Sequence, residues 1–283
     1  MSAVGSAGPL TPVTGSTAFG GKGRRFVDLT VTLAVLDFKV RYFGSALGYF
    51  WQLARPLMLF GVLFVVFTQF VKFNEGIKFF PAYLLTSIML FTFFADATGG
   101  AVTAVLDREN LVRKIQFPRV VIPLSSVLTA IFNLLTNMVA VGVFVVVTGV
   151  KPMATWVLVP FLVGALCVLA IGMSMLLSAL YVRYRDMEPI WEVMLQVLFY
   201  GSPILYAIEI VPSDTARQAI MCNPIATILQ QIRHWFIDDT ALSAPQAIGS
   251  WAMMAIPISI SVAVCVAGVW YFNREAPRIA EDL

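Results

Sequence analysis

The sequence predicts an all-α integral membrane protein: six transmembrane helices, an N-terminal amphipathic interfacial helix, and short external helices between spans 5 and 6. Three observations predict it. First, 59% of the 283 residues are hydrophobic and 12% are charged, where a soluble domain runs about 45–50% apolar and about 25% charged. Second, the chain carries six apolar runs, each near the roughly 20 residues that a bilayer crossing needs. Third, Lys and Arg divide unevenly between alternate connections. Fourteen (Lys22, Arg24, Arg25, Lys39, Arg41, Arg55, Arg108, Arg113, Lys114, Arg119, Arg183, Arg185, Arg274 and Arg278) fall on one side, and five (Lys72, Lys78, Lys151, Arg217 and Arg233) on the other. By the positive-inside rule the basic side is cytoplasmic, with both termini on it. The net charge of +3 is too small and too dispersed for nucleic-acid binding.

Taken in order, residues 1–23 are rich in Gly, Ser, Thr and Pro. They lack an apolar segment behind Lys22, Arg24 and Arg25, so they read as a disordered cytosolic tail rather than a cleavable signal. Phe26, Leu29, Leu33, Leu36 and Val40 then recur at helical spacing, with Asp28, Thr32 and Lys39 on another sector. That pattern predicts an amphipathic helix over 26–41 at the membrane surface. The spans follow at about 57–73, 79–100, 120–149, 154–181, 189–208 and 251–272. Lys151 and Pro152 join the third and fourth in a tight hairpin. The external connection, 209–250, holds Ile225 to Leu229, Trp235 and Phe236, which a solvated loop would not need, so part of it packs at the interface. Asn223-Pro224 is a helix entry with Pro at the first position. Ile225, Ile228, Leu229 and Ile232 keep helical spacing, which predicts a helical hairpin over 223–239.

Catalytic and metal chemistry finds little to work with. Cys167, Cys222 and Cys265 form no CxxC pair, and His234 is the single histidine, so no metal site is expected. Gly15, Gly20, Gly21 and Lys22 miss the spacing of a phosphate loop. No catalytic residue and no cofactor of this chain is therefore predicted.

Four features invite a role. In the loop 107–119, charged positions interleave with Leu111, Val112, Ile115 and Phe117, which fits either a knob for a soluble partner or a stop-transfer loop. Ser126, Thr129, Asn133, Thr136 and Asn137 share one helical sector of the third span, which fits helix-to-helix bonding or a wet path. Glu188, Glu192, Gln196 and Tyr200 make a stripe on the fifth span. Phe60, Phe64 and Phe67 follow one face of the first, where rings either meet lipid or stack on sugars.

Five strings carry a resemblance: RYFGSALGYFWQLARP from Arg41, LVRKIQFPRVVIPLS from Leu111, RDMEPIW from Arg185, SPILY from Ser202 and NPIATILQQIR from Asn223. In this order they resemble the membrane subunit, or permease, of type-2 ABC exporters for polysaccharides and polyol phosphates, the class of O-antigen, capsule and teichoic acid exporters. The resemblance covers residues 24–283. It implies a homodimer in the bacterial cell (inner) membrane with two soluble ABC ATPase subunits, which bind the ATP and Mg. It implies a cytosolic gate helix including Phe26, Asp37 and Arg41, and an ATPase-coupling helix including Glu109, Leu111, Arg113, Lys114, Phe117 and Arg119. Asn223, Pro224, Ile228 and Trp235 fall in its external gate. Its path between the subunits makes Phe60, Phe64, Phe67, Asn133, Asn137, Gln196 and Tyr200 the substrate-path candidates. The implied cargo is a polyprenyl-diphosphate-linked polysaccharide such as a galactan or O-antigen-like glycan. The competing readings are a membrane-embedded glycosyltransferase acting on lipid-linked sugars, a secondary transporter, and an ABC-2 exporter of a different lipid or drug. The first needs an acid or metal cluster that the sequence does not assemble. The second needs an internal repeat and midplane charges.

Overall fold

The structure is a computed structural model that describes residues 23–42, 50–70, 77–108 and 118–275. In chain order the helices are α1 (Gly23–Tyr42), α2 (Phe50–Val65) with a π turn at Val66–Phe70, α3 (Phe80–Asp107) and α4 (Val121–Val147). A 3₁₀ turn at Ala154–Leu158 leads into α5 (Val159–Arg183), and α6 (Met187–Tyr200) follows. The connection that follows holds a 3₁₀ turn at Ile208–Ile210, α7 (Asp214–Met221), α8 (Pro224–Ile232) with a π turn at Arg233–Ile237, and α9 (Ala244–Ile248); α10 (Ala255–Glu275) ends the described chain. There is no strand among the described residues.

Among the described residues, five segments are long and apolar enough to cross a membrane: Phe50–Phe70, Phe80–Asp107, Val121–Val147, Ala154–Arg183 and Ala255–Glu275. The fold is therefore that of an all-α, multi-pass membrane protein. The expected fifth span, 189–208, differs. Its helix α6 has 14 residues, about 21 Å at 1.5 Å per residue, short of the roughly 30 Å hydrocarbon layer. Gly201 caps it, and Pro203, which lacks an N–H, cannot prolong it. The chain nevertheless keeps to α3. Trp191 Nε1 donates to Thr98 Oγ1 at 3.0 Å, the Phe199 ring meets Phe91 edge-on at 5.2 Å, and the Tyr83 hydroxyl donates to the carbonyls of Pro203 and Tyr206. The segment from α6 to Tyr206 thus runs antiparallel to α3, from the level of Thr98 to that of Tyr83.

α3 is the centre of the bundle. It starts at Phe79, whose φ of 54° turns the chain sharply, and Pro81 fits the first turn because no N–H is needed there. Ala82 to Phe91 are buried on every face, the condition of a helix apolar all round. Two of its buried hydroxyls turn back on the backbone, Thr86 to Ala82 O at 2.7 Å and Thr98 to Phe94 O at 2.8 Å, so these groups are satisfied within the helix.

The α4–α5 hairpin closes as a Schellman motif. Gly149 takes a φ of 76°, its N–H reaches Val146 O at 3.1 Å, and that of Val150 reaches Val145 O at 3.2 Å. α5 and α10 cross at Gly172 and Gly268, where a methyl group on Gly268 would come within 2.1 Å of the Gly172 carbonyl oxygen. Small residues let transmembrane backbones approach this closely.

Two expectations change here. The hairpin expected within 223–239 is instead one helix, α8 with its π turn, preceded by the short helix α7. The reason is local: Ser213 caps α7 by accepting from Ala216 N, and Asn223 caps α8 by accepting from Ile225 N, so both starts lie before residue 225. On α1, the apolar stripe is cut short. Phe26, Leu29 and Leu33 pack against Ala104, Val105, Val121 and Ile122, but Leu36 and Val40 are exposed. They stand instead on the wall of a cavity.

Candidate functional site

Two polar assemblies occupy opposite ends of the bundle. At one end, α1 lies along α4, with the Phe38 ring edge-on to Phe132 at 6.1 Å and the Thr129 hydroxyl donating to Ala34 O at 3.3 Å. Asp37 of α1 forms an ion pair with Arg108 at the end of α3, and Arg108 Nη1 also reaches the Ser125 hydroxyl at 3.3 Å. These groups border a cavity of about 490 Å³ between α1, α3 and α4, onto which Asp96, Asp107, Ser126 and Thr129 also open. Tyr181 donates to Glu188 at 3.0 Å on the same end, and three arginines lie over rings there: Arg183 on Tyr184, Arg185 on Tyr181 and Arg274 on Trp270, at 5.5, 5.6 and 5.5 Å. Such stacking holds aromatic rings and cations together at a membrane boundary.

At the other end, the turn after α6 and helices α7 to α9 form a lid over the N-terminus of α3. Its centre is Arg233, 4% exposed, whose guanidinium lies 4.8 Å over the Tyr83 ring and donates to Glu209 at 2.8 Å. Glu209 also accepts from Leu242 N at 2.9 Å. Burial pushes the Glu209 carboxyl up, but Arg233 beside it and the N–H of Leu242 outweigh that and hold it below the usual carboxylate range. The rest of the lid is tied down in the same way. Gln230 donates to Leu242 O at 2.6 Å, Gln231 accepts from Ala244 N at 2.9 Å, and Lys78 donates to Thr240 at 3.1 Å. The Thr155 hydroxyl holds Trp235 O at 2.6 Å, while Trp156 packs on Phe236 at 4.9 Å.

The residues marked from the sequence distribute unevenly over this frame. Phe26 packs inward, Asp37 holds Arg108, and Arg41 sits in the last turn of α1 with its side chain outside the described part. Glu109, Leu111, Arg113, Lys114 and Phe117 lie outside the described residues; Arg119 follows them at the entry to α4. Of the path candidates, Phe60 is buried, stacking on Phe64 at 5.7 Å and meeting Phe144 at 5.2 Å, and Phe64 faces Phe80 at 6.4 Å. Within one subunit these rings are core, and Phe67 packs against the same cluster. Asn133 and Asn137 are each 2% exposed inside α4. Gln196 and Tyr200 are exposed, in line with Glu188 and Glu192 on the open side of α6. Asn223 and Pro224 start α8, Ile228 is buried beneath it, and Trp235 lies in its π turn.

The sequence reading missed Tyr83, Glu209 and Arg233 as one unit. The available signal was a lone cation, Arg233, at the end of an amphipathic run on the side that carries few cations.

Five long apolar helices and a shorter sixth, Met187–Tyr200, make up a multi-pass membrane protein, and the chain belongs to the ABC-2 type transporter family, whose model matches residues 29–237. It is similar to the O-antigen export system permease protein RfbA of Klebsiella pneumoniae, with 28% identity over 257 residues covering 90% of this chain and 95% of the relative. It is also similar to the protein of that description from Myxococcus xanthus, with 27% identity over 243 residues covering 82% and 92%.

Proposed function

We propose that this chain is the permease half of an exporter that carries a lipid-linked cell-envelope polysaccharide outward across the cytoplasmic membrane, working as a homodimer on two separate ATPase subunits. The carrying observation is the open stripe Glu188, Glu192, Gln196 and Tyr200 on α6. Glu188 is met by Tyr181, but the carboxylate, amide and phenol that follow at every fourth residue find no partners in lipid, so this side faces a second copy or a wet path. The export of O-antigen by the similar permeases supports the choice of cargo. The turn after α6, held to Tyr83, completes a sixth crossing in this reading, which returns both termini to the cytoplasm in agreement with the fourteen-to-five split of basic residues.

The mechanism follows from connectivity. The loop 109–117 joins the two helices that build the core, α3 and α4, so a push from an ATPase on that loop reaches the centre of the bundle directly. At the same end, the Asp37–Arg108 pair ties α1 to α3 across the cavity, and breaking it frees α1 to admit a polar head group. At the far end, the lid opens to release the glycan. ATP and Mg are handled by the partner, and the carrier lipid is a polyprenyl diphosphate.

The test is purification of the chain with and without its ATPase. Leu111→Glu should abolish export and loosen ATPase binding while leaving the membrane dimer assembled, because a lone charge against an apolar docking groove is costly. Tyr200→Cys should cross-link to its symmetry mate. ATP hydrolysis or glycan movement by the purified chain alone would sink the proposal.

A further inference from the structure

A groove of about 490 Å³ opens between α5, α8 and α10, on the lid side of the bundle. Ala165 and Leu169 form one wall, Ser261 and Cys265 the other, and Ile228 and Gln231 of α8 the floor. Four of its side-chain polar atoms are already engaged: Thr227 donates to Met221 O at 2.6 Å, Ser261 to Pro257 O at 2.9 Å, Cys265 to Val168 O at 3.5 Å, and Gln231 Oε1 accepts from Ala244 N. A sugar or a phosphate would lose its hydrogen bonds to water here and find few in return. The groove takes hydrocarbon.

Its surroundings say which hydrocarbon. The rim is a collar of protruding apolar side chains, with Val168 57%, Val262 56% and Val266 62% exposed, and there is no charged residue from Ala255 to Asn273. Helix-to-helix contacts in membranes favour small residues, as at Gly172 and Gly268, whereas bulky branched side chains standing proud are wetted by lipid tails. We propose that the groove is a binding site for one acyl chain of a bilayer lipid, drawn from the leaflet on the Pro224 side and seated beneath α8.

α8 gives this site a consequence. Its lower face, Ile228 and Gln231, floors the groove, while its upper end carries Arg233 into contact with Tyr83 and Glu209. An acyl chain in the groove therefore supports α8 at the height where Arg233 meets its partners, and the lid rests on lipid as well as on protein. The inference does not depend on the identity of the cargo.

The probe is a phosphatidylglycerol bearing a diazirine on one acyl chain, present in phosphatidylglycerol–phosphatidylethanolamine vesicles that hold the full chain with its ATPase. After photolysis, mass spectrometry locates the adducts. Adducts are expected on Ile228 or Gln231 as well as on the collar at Val262 and Val266. Ala165→Trp fills the groove from its rim and should abolish the α8 adducts while sparing those at Val266. Ser261→Phe does the same from the opposite wall, should the first variant fail to fold. Adducts confined to the collar, or α8 labelling unchanged in both variants, would overturn the site. So would labelling of Ile228 by an isoprenoid diazirine and not by the acyl probe, which assigns the groove to a polyprenyl carrier.

Discussion

At the Tyr83 end of the molecule one buried arginine gathers a ring, a carboxylate and, through that carboxylate, the backbone of a third segment. At the Asp107 end, an ion pair whose side chains are 18% and 30% exposed stands at the edge of an open cavity. The first arrangement is cooperative, since removing Arg233 takes from Glu209 its cation and from Tyr83 its ring partner together. The second, among the described residues, ties α1 to α3 by one ion pair, with Arg108 also reaching Ser125 and Thr129 reaching Ala34 O beside the apolar packing. Regions with few buried contacts and water-exposed bonds open at lower free energy. The comparison therefore places the easier opening at the end where α1 meets α3, and the harder one at the lid.

The largest break in this comparison should come from Arg233→Met. Losing one partner of a mostly buried ion pair costs about 3 kcal/mol, to which the lost ring contact adds about 1 kcal/mol. The melting midpoint of the purified complex should fall by several degrees and export should stop, while the ATPase remains bound. A wild-type midpoint would mean that the lid is held by its apolar contacts alone. Gly268→Leu should come next, at about 2 kcal/mol for forcing α5 and α10 apart. Because the crossing lies between the two ends, hydrogen exchange should rise on both; a rise on one end only would show that the ends are coupled through another helix.

A smaller effect belongs to pH. The Glu209 carboxyl is held below its usual range, so its folded-state pKa lies under the unfolded value. The stability it contributes is complete above the usual carboxylate pKa of about 4.3 and is lost as pH falls through the lower, folded value. The lid should therefore be indifferent to pH near neutrality and loosen in acid. Hydrogen exchange across α8 that increases in acid in the wild type, and less so in Glu209→Gln, would bear this out; equal acid responses would assign the loosening to another group.

How much of this was legible in the sequence depends on the range of the interaction. Local signals were readable: the long apolar runs of α3 to α5, the hairpin at Lys151-Pro152, and the Asn223-Pro224 entry to α8. Each is set by neighbours a few residues apart. The Arg233 assembly was not readable, because Glu209 lies 24 positions away and Tyr83 belongs to another helix altogether. The Phe60 face shows a different limit. In a membrane protein, core and lipid impose the same apolar pattern, so spacing alone could not reveal that Phe60 packs on Phe144 inside the subunit. The shortening of α6 was masked for a similar reason, since Ile204, Leu205 and Ala207 continue the apolar run after the helix has ended.

The smallest expected effect on stability is the most informative about motion. Asp37→Asn removes one charge from the pair with Arg108, and a pair this accessible contributes under about 1 kcal/mol. The melting midpoint should barely move. Transport should respond more strongly, because the pair joins α1 to the end of α3, next to the loop 109–117 where the ATPase is proposed to act. ATP turnover of the reconstituted complex should rise without a matching rise in export, as expected when α1 parts from α3 without waiting for cargo. Arg108→Gln should do the same, and the exchanged pair Asp37→Arg with Arg108→Asp should recover coupling, since a double substitution isolates the interaction from the effects of each residue alone. If Asp37→Asn instead lowers the melting midpoint as far as Arg233→Met does, the two ends are equally firm, and the opening that admits the cargo has to be sought along α6.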